Sequence, residues 1–379
     1  MVHDERMFAR VLFGGEIGFG EAYMDGDWSS PDGVAVLRLV MRNLALFEEE
    51  NRAFSAASRW WGRLRHRRRR NSPAGSRQNI QAHYDLGNEF YRLFLDSNMA
   101  YSCGYFRTPE DSLDQAQVQK FDRICRKLRI EPRDHVLEIG TGWGGFAAYA
   151  ATQGGCRVTT TTISRRQHDY AAEWFSRLGD AKSRIELLFE DYRNLSGRYD
   201  KIVSIEMFEA VGVEYYDEFF GACDHLLGPD GTMLLQTITV PEQRFASYRK
   251  RSDWIQKYIF PGAELASVSE ILRSVARVTR LSLFHAEDIG SHYARTLELW
   301  RQRFLAALPE VRELRFDERF IRMWDYYLVA CEAAFRERTV GDFQLVLTKN
   351  LNRRALLDEP WSEQELSQKA RQPSWSPLP

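Results

Sequence analysis

The stretch His135-Val-Leu-Glu-Ile-Gly-Thr-Gly-Trp-Gly-Gly-Phe146 holds residues whose types and spacing suit ligand chemistry. A short apolar run with β propensity leads into a glycine-rich turn, and an Ala-rich helical segment, Phe146–Thr152, follows. Glycines at 140, 142 and 144 let a ligand approach the backbone closely. The spacing is E-x-G-x-G-x-G, which differs from a dinucleotide fingerprint, and no G-K-[ST] follows to cradle phosphates. Glu138, at the strand end, suits a cationic, phosphate-free cofactor. S-adenosylmethionine, with its ammonium and sulfonium groups, fits that description.

The elements around this turn repeat in a simple order. Strands are expected at Cys156–Ile163, Arg184–Glu190, Tyr199–Ile205 and Thr232–Ile238. Helices are expected from the Ser164 cap to Leu178 and over Glu214–Leu227, the latter stopped by Gly228-Pro-Asp-Gly231. Alternating β and α implies a parallel sheet with helices on both faces, and ligands then bind beyond the carboxyl ends of the strands. Ser112–Leu128, Tyr293–Leu308 and Phe316–Arg338 read as further helices. Asp342–Lys349 reads as a late strand, inserted antiparallel to complete seven. Upstream, residues 1–62 form a small mixed module with helical spacing over Val34–Phe47, and residues 63–77 a basic linker. The catalytic domain spans 78–349, and 350–379 is a polar, disordered tail.

Composition narrows the class. With 379 residues and a formal net charge of −1, bulk electrostatics select no partner, although Arg63, Arg65 and Arg67–Arg70 crowd one segment. Five scattered cysteines without C-x-x-C spacing argue against a zinc site and for a reducing compartment. No metal is expected. No apolar run reaches the ~20 residues that span a bilayer, so a cytoplasmic protein is expected.

Several separated segments, taken in order, resemble cyclopropane-fatty-acyl-phospholipid synthases, mycolic acid cyclopropane synthases and related lipid C-methyltransferases. They are Gly20-Glu-Ala-Tyr-Met-Asp-Gly26, His83-Tyr-Asp-Leu-Gly-Asn88, Tyr101-Ser-Cys103, Leu137-Glu-Ile-Gly-Thr-Gly-Trp-Gly-Gly145 and Thr162-Ile-Ser164. The series continues with Asp191-Tyr-Arg193, Met207-Phe-Glu-Ala-Val-Gly212, Trp254-Ile-Gln-Lys-Tyr-Ile-Phe-Pro261 and Arg303-Phe-Leu305. The resemblance implies an α/β class I methyltransferase fold: a Rossmann-like seven-stranded sheet whose last strand is antiparallel, with helical insertions covering an acyl chain. It implies S-adenosylmethionine as methyl donor and the double bond of an unsaturated phospholipid as acceptor. Tyr101, Ser102, Gly140, Gly142, Thr162, Gln167, Asp191 and Tyr192 are the implied cofactor contacts, beside Glu138 and Gly144 of the glycine turn. Relatives hold bicarbonate as a base, and the matching positions here are Cys103, Glu209, Gln236, Ile238 and Tyr293.

Two departures bear on that base. The family's Phe-Glu-His-Val-Gly reads Phe208-Glu-Ala-Val-Gly212, and its Leu-His-Thr-Ile reads Leu235-Gln-Thr-Ile238, so Gln236 replaces the histidine ligand and argues against bicarbonate. Glu206 stands where the synthases commonly carry a small residue. Its carboxylate is expected to replace bicarbonate as a built-in base, with a turn cap or salt bridge as the alternative. Glu206 and Glu209, three residues apart beyond a strand, can face one cavity and couple their titration.

Methylating an isolated alkene produces a carbocation, which demands a dry site, alignment and a nearby base. Tyr84, Phe90, Tyr105, Trp143, Trp254, Tyr258 and Tyr293 can supply aromatic walls, about a third of them lining the site. The product is a cyclopropane, a methylene-branched or a methylated chain. The arginine cluster is expected to attract anionic headgroups at the inner face of the membrane, with a homodimer left open. A nucleic-acid acceptor is disfavoured because the slot after the fourth strand lacks Asn/Asp-Pro-Pro-aromatic. A non-enzymatic lipid binder would tolerate changes at Glu209 and Tyr293.

Overall fold

The structure is a computed structural model, and it describes residues 1–43, 86–250 and 252–353. Seven strands form one sheet: β1 (His135–Ile139), β2 (Arg157–Thr161), β3 (Ile185–Leu188), β4 (Tyr199–Ile205), β5 (Leu227–Thr239), β6 (Leu281–Asp288) and β7 (Gly341–Lys349). Their order is β3-β2-β1-β4-β5-β7-β6. The first five pair in parallel, and β7 runs antiparallel between β5 and β6.

Strand periodicity explains the two cores. Val136, Val203, Leu234 and Val346 point to one face and meet Phe146, Ala147 and Phe175. Leu137, Ile202, Leu235 and Leu345 point to the other and meet Phe208, Phe219 and Cys223. A third core is aromatic. Phe90 packs edge-on against Trp324 at 4.9 Å and near Phe316 at 5.0 Å, joining the helix Glu318–Arg336 to the loops over the sheet.

The N-terminal helix Arg6–Met24 is folded at Gly15, whose φ of 56° and ψ of −135° break the helical path. The fold brings the Arg10 guanidinium to the carbonyl of Glu21 at 3.3 Å and to Asp25 at 2.5 Å. This hairpin and the helix Gly33–Arg42 lie on Glu318–Arg336. Tyr23 donates to Asp325 at 2.5 Å, and Arg38 and Arg42 pair with Glu337.

Several expectations need correction. Gly228–Gly231 does not separate helix from strand: the ladder begins at Leu227, opposite Tyr199, bulges through 228–231 and resumes at Thr232 opposite Lys201. Helix Val268–Val278 and edge strand β6 had no counterpart in the sequence reading. The stretch after the glycine turn is a short helix, Gly145–Tyr149, continued by a π-helical turn, Ala150–Gly154. Phe47, the Arg63–Arg70 cluster, His83, Tyr84 and residues 354–379 lie outside the described residues.

Candidate active site

Glu206 leaves β4 with a φ of 48°, a left-handed backbone that costs a non-glycine residue about 1–3 kcal/mol. Its N–H is tied to the carbonyl of Gln236 at 2.8 Å. The strained turn aims the side chain at three donors from three elements. Glu206 Oε1 accepts from the Cys103 N–H at 2.8 Å and from Gln236 Nε2 at 2.8 Å, and Oε2 accepts from the Tyr293 hydroxyl at 2.6 Å. Glu209 takes the next donors along β5: its Oε1 accepts from the Ile238 N–H at 2.6 Å and from Thr237 Oγ1 at 3.0 Å. The positions that the resemblance assigned to bicarbonate therefore converge, and the donors of Cys103, Gln236 and Tyr293 go to Glu206 while the Ile238 N–H goes to Glu209.

Gln236 donates to Glu206 because its amide orientation is imposed from behind. Lys127, which can only donate, bonds Gln344 Oε1 at 2.7 Å, and Gln344 Nε2 then donates to Gln236 Oε1 at 2.9 Å. The antiparallel register sets Gln344 opposite Gln236 and Asp342 opposite Ile238. Lys127 is itself held by Glu287 at 2.5 Å, and burial lowers its pKa to about 8.

Lys120 is the cation of this site. It lies on the buried stripe of the helix Leu113–Lys127, fully buried, with Nζ 2.5 Å from Ser102 Oγ. Burial raises the proton affinity of Glu206, and the Lys120 charge is the largest opposing influence. Burial and the Glu206 charge push the Glu209 pKa up to about 7.

These groups border a cavity of about 970 Å³, at the upper end of the roughly 300–1,000 Å³ usual for small-molecule sites. One end is the glycine turn. Glu138, Gly140, Gly142, Tyr101, Ser102, Thr162, Gln167, Asp191 and Tyr192 all line the cavity. A Cβ on Gly140 would sit 2.9 Å from Met207, whereas one on Gly142 would project into open space at a φ of 54°. The turn thus has the room that a cofactor needs. Glu138 is buried and accepts from Thr160 at 2.5 Å, and burial lifts its pKa to about 8, so a cationic ligand would favour its ionised form. Asp191 is engaged by Arg193 in a two-pronged ion pair at 2.8 and 2.9 Å. Gly144 is elsewhere: it faces Phe175 and does not line the cavity. Cys103 and Gln236 also stand behind the wall, acting through Glu206.

The opposite end is apolar. Trp254 and Tyr293 line it, Trp143 lines the cavity from the glycine turn itself, and Phe90, Tyr105 and Tyr258 do not line it. Phe260, Leu297, Tyr327 and Phe335 complete its walls, and Met7, Phe8, Val11 and Leu12 of the N-terminal hairpin form its rim. The sequence reading missed Lys120, Asp342 and Gln344. A lysine on the apolar stripe of Leu113–Lys127, with Gln117 and Ile124 at helical spacing, was the available signal for the first.

Comparison with known proteins agrees with this arrangement. The family model described as mycolic acid cyclopropane synthetase matches residues 71–345. Tuberculostearic acid methyltransferase UfaA1 of Mycobacterium tuberculosis is 38% identical over 350 residues, covering 88% of this chain and 79% of that protein. The cyclopropane-fatty-acyl-phospholipid synthase of Escherichia coli K12 is 38% identical over 362 residues, covering 92% and 87%. Among solved structures, the mycolic acid cyclopropane synthase CmaA1 in complex with SAH and CTAB superposes with a TM-score of 0.67 at 30% identity, over 72% of this chain and 98% of that one. With a family model matched over most of the chain and relatives at 38% identity, the chain belongs to the mycolic acid cyclopropane synthetase family and is an S-adenosylmethionine-dependent methyltransferase.

Proposed function

We propose that this enzyme methylates a cis double bond in the acyl chain of a phospholipid, and that Glu206 removes the proton that ends the reaction. Lipid acyl C-methylation is the activity class of the family. The observation that carries the finer reading is the Glu206 carboxylate, held by Cys103, Gln236 and Tyr293 at the wall of an apolar cavity.

S-adenosylmethionine supplies an electrophilic methyl group, and Glu138, the 140–142 turn, Thr162 and Gln167 are the residues that would hold it. Every further demand falls on the chain itself. The apolar walls hold the acyl chain and exclude water, which would quench a cation. As the alkene π pair forms the new C–C bond, its other carbon becomes positive, and the ring faces of Tyr293 and Trp143 and the Glu206 carboxylate stabilise that charge. A neighbouring C–H bond then breaks, with its proton passing to Glu206. If the proton comes from the new methyl group, the electrons left behind close a cyclopropane. If it comes from a chain carbon, they form an alkene. Bicarbonate takes no part, because Glu206 already uses its donors.

The N-terminal hairpin serves as the cover of the acyl chain and as the contact with the membrane. Phe8 and Phe13 are 61% and 63% exposed, and Phe8 and Leu12 also edge the cavity, so the apolar path from cavity to surface is continuous. No helix among the described residues is long and apolar enough to cross a membrane. We infer a peripheral position of the hairpin on the inner face of the membrane, where the positive charge of the sequence Arg63–Arg70 would attract anionic headgroups. Phe13→Ser should weaken binding to anionic vesicles, read by sedimentation, about thirtyfold, since burying one such side chain is worth ~2 kcal/mol; undiminished sedimentation would remove the hairpin from the membrane contact.

The test of the whole reading is direct. Protein is incubated with methyl-labelled S-adenosylmethionine and vesicles of cis-monounsaturated phospholipid, and the acyl methyl esters are analysed by mass spectrometry. The expected result is label in the acyl chain at the former double bond, and the fragmentation pattern identifies ring or branch. Label found only in water-soluble acceptors would overturn the assignment.

A further inference from the structure

Behind Glu206 sits a second acid that the reaction as described does not use. Asp342, near the start of β7, is fully buried. Its Oδ2 accepts from Gln236 Nε2 at 3.1 Å, so the two hydrogens of that one amide are divided between Asp342 and Glu206. Its other oxygen, Oδ1, has neither solvent nor a hydrogen-bond donor. An ionised oxygen in that position would be costly, whereas a hydroxyl would only need an acceptor. Glu206 and Asp342 meet at that one amide nitrogen, 2.8 and 3.1 Å from it.

Charge counting agrees. The carboxyls of Glu206, Glu209 and Asp342 share one region with the buried Lys120, while the other buried lysine behind it, Lys127, is already paired with Glu287. One ammonium offsets one carboxylate, and a second or third buried anion would have no partner. Tyr293, Cys103 and Tyr327, which also act on the pair, are neutral at physiological pH because burial pushes their proton affinities up. Burial and the nearby Glu206 and Glu209 charges raise that of Asp342 strongly as well.

We propose that Asp342 and Glu206 form a carboxyl pair holding one proton, with Asp342 as the donor and Glu206 as the acceptor. Asp342 touches no substrate and is a positioning residue. By donating to Glu206 it keeps that carboxylate the ionised member and fixes its direction, so Glu206 is poised to accept a proton from the substrate. When Glu206 accepts it, both carboxyls are protonated, and the pair returns to its starting state when one proton leaves to solvent.

Because this extends the reading of Glu206 as base, one measurement is independent of turnover. The infrared difference spectrum between the full-length protein and Asp342→Asn at neutral pH should show loss of one protonated carboxylic acid band. No change in that region would overturn the pair, whatever the substrate proves to be. Kinetics supply the second arm. An amide at 342 can still donate to Glu206 and accept from Gln236, whereas leucine can do neither. Asp342→Leu should shift the acid limb of the kcat profile upward by about one pH unit, which is tenfold at low pH, and Asp342→Asn should recover most of that loss. An unshifted limb in the leucine variant, or equal damage in both variants, would refute the assignment. If the leucine variant does not fold, the infrared result and the asparagine profile still decide.

Discussion

Glu206→Gln is expected to lower methyl transfer by about 10²–10⁴-fold, the usual contribution of a general base, and to leave binding of S-adenosylhomocysteine unchanged. Glutamine keeps an acceptor for the Cys103 N–H and Gln236 Nε2 but cannot take a proton from the substrate. Calorimetry with S-adenosylhomocysteine and mass spectrometry of the lipid product separate binding from chemistry. A companion experiment tests the replacement of the ion. The wild-type enzyme should be indifferent to bicarbonate. Glu206→Gly combined with Gln236→His recreates the small residue and histidine that the resemblance assigns to the synthases, and added bicarbonate should then restore activity. Bicarbonate dependence in the wild type would contradict the built-in base.

Removing the buried cation should be nearly as damaging. Lys120→Met keeps the aliphatic stem but takes away the charge that most favours ionised Glu206. Burial already raises the proton affinity of Glu206, so its loss moves that affinity further up. The ionised base is then populated only at higher pH. Turnover should fall about 10–100-fold near neutrality, one decade for each pKa unit, and recover as the pH rises. The sign follows from protonation: a more basic Glu206 is neutral over a wider acid range, so the deficit grows as pH falls. A variant equally impaired at all pH values would show that Lys120 supports the structure of the Ser102 loop instead of the charge of the base.

The fold was legible where periodicity is strong. β1, β4 and β7 alternate or run apolar, and Ser112 caps its helix with a reciprocal Gln115 bond. β6 escaped because it is an edge strand, half polar, with a register shift between Leu283 and His285 that breaks its alternation. At the site, Glu206 could be singled out because its type is unexpected for its position. Its surroundings could not: Lys120, Gln344 and Asp342 come from a helix before the sheet and from the last strand, and only the parallel and antiparallel registers bring them together. Gly144 was grouped with its neighbours by spacing alone, yet its φ of 102° turns the chain into a helix that packs on Phe175.

The place of β7, between β5 and the edge strand β6, sets a schedule for the newborn chain. Asp342 and Gln344 arrive on the last strand, yet that strand is inserted between β5 and β6 and completes the pocket around Glu206. A polypeptide emerging from the ribosome can pair β1 to β5 early, but it exposes the bare edge of β5 until residues 341–349 slide in. Catalytic competence therefore comes late in synthesis, and until then nascent chains carry an open edge that chaperones can shield.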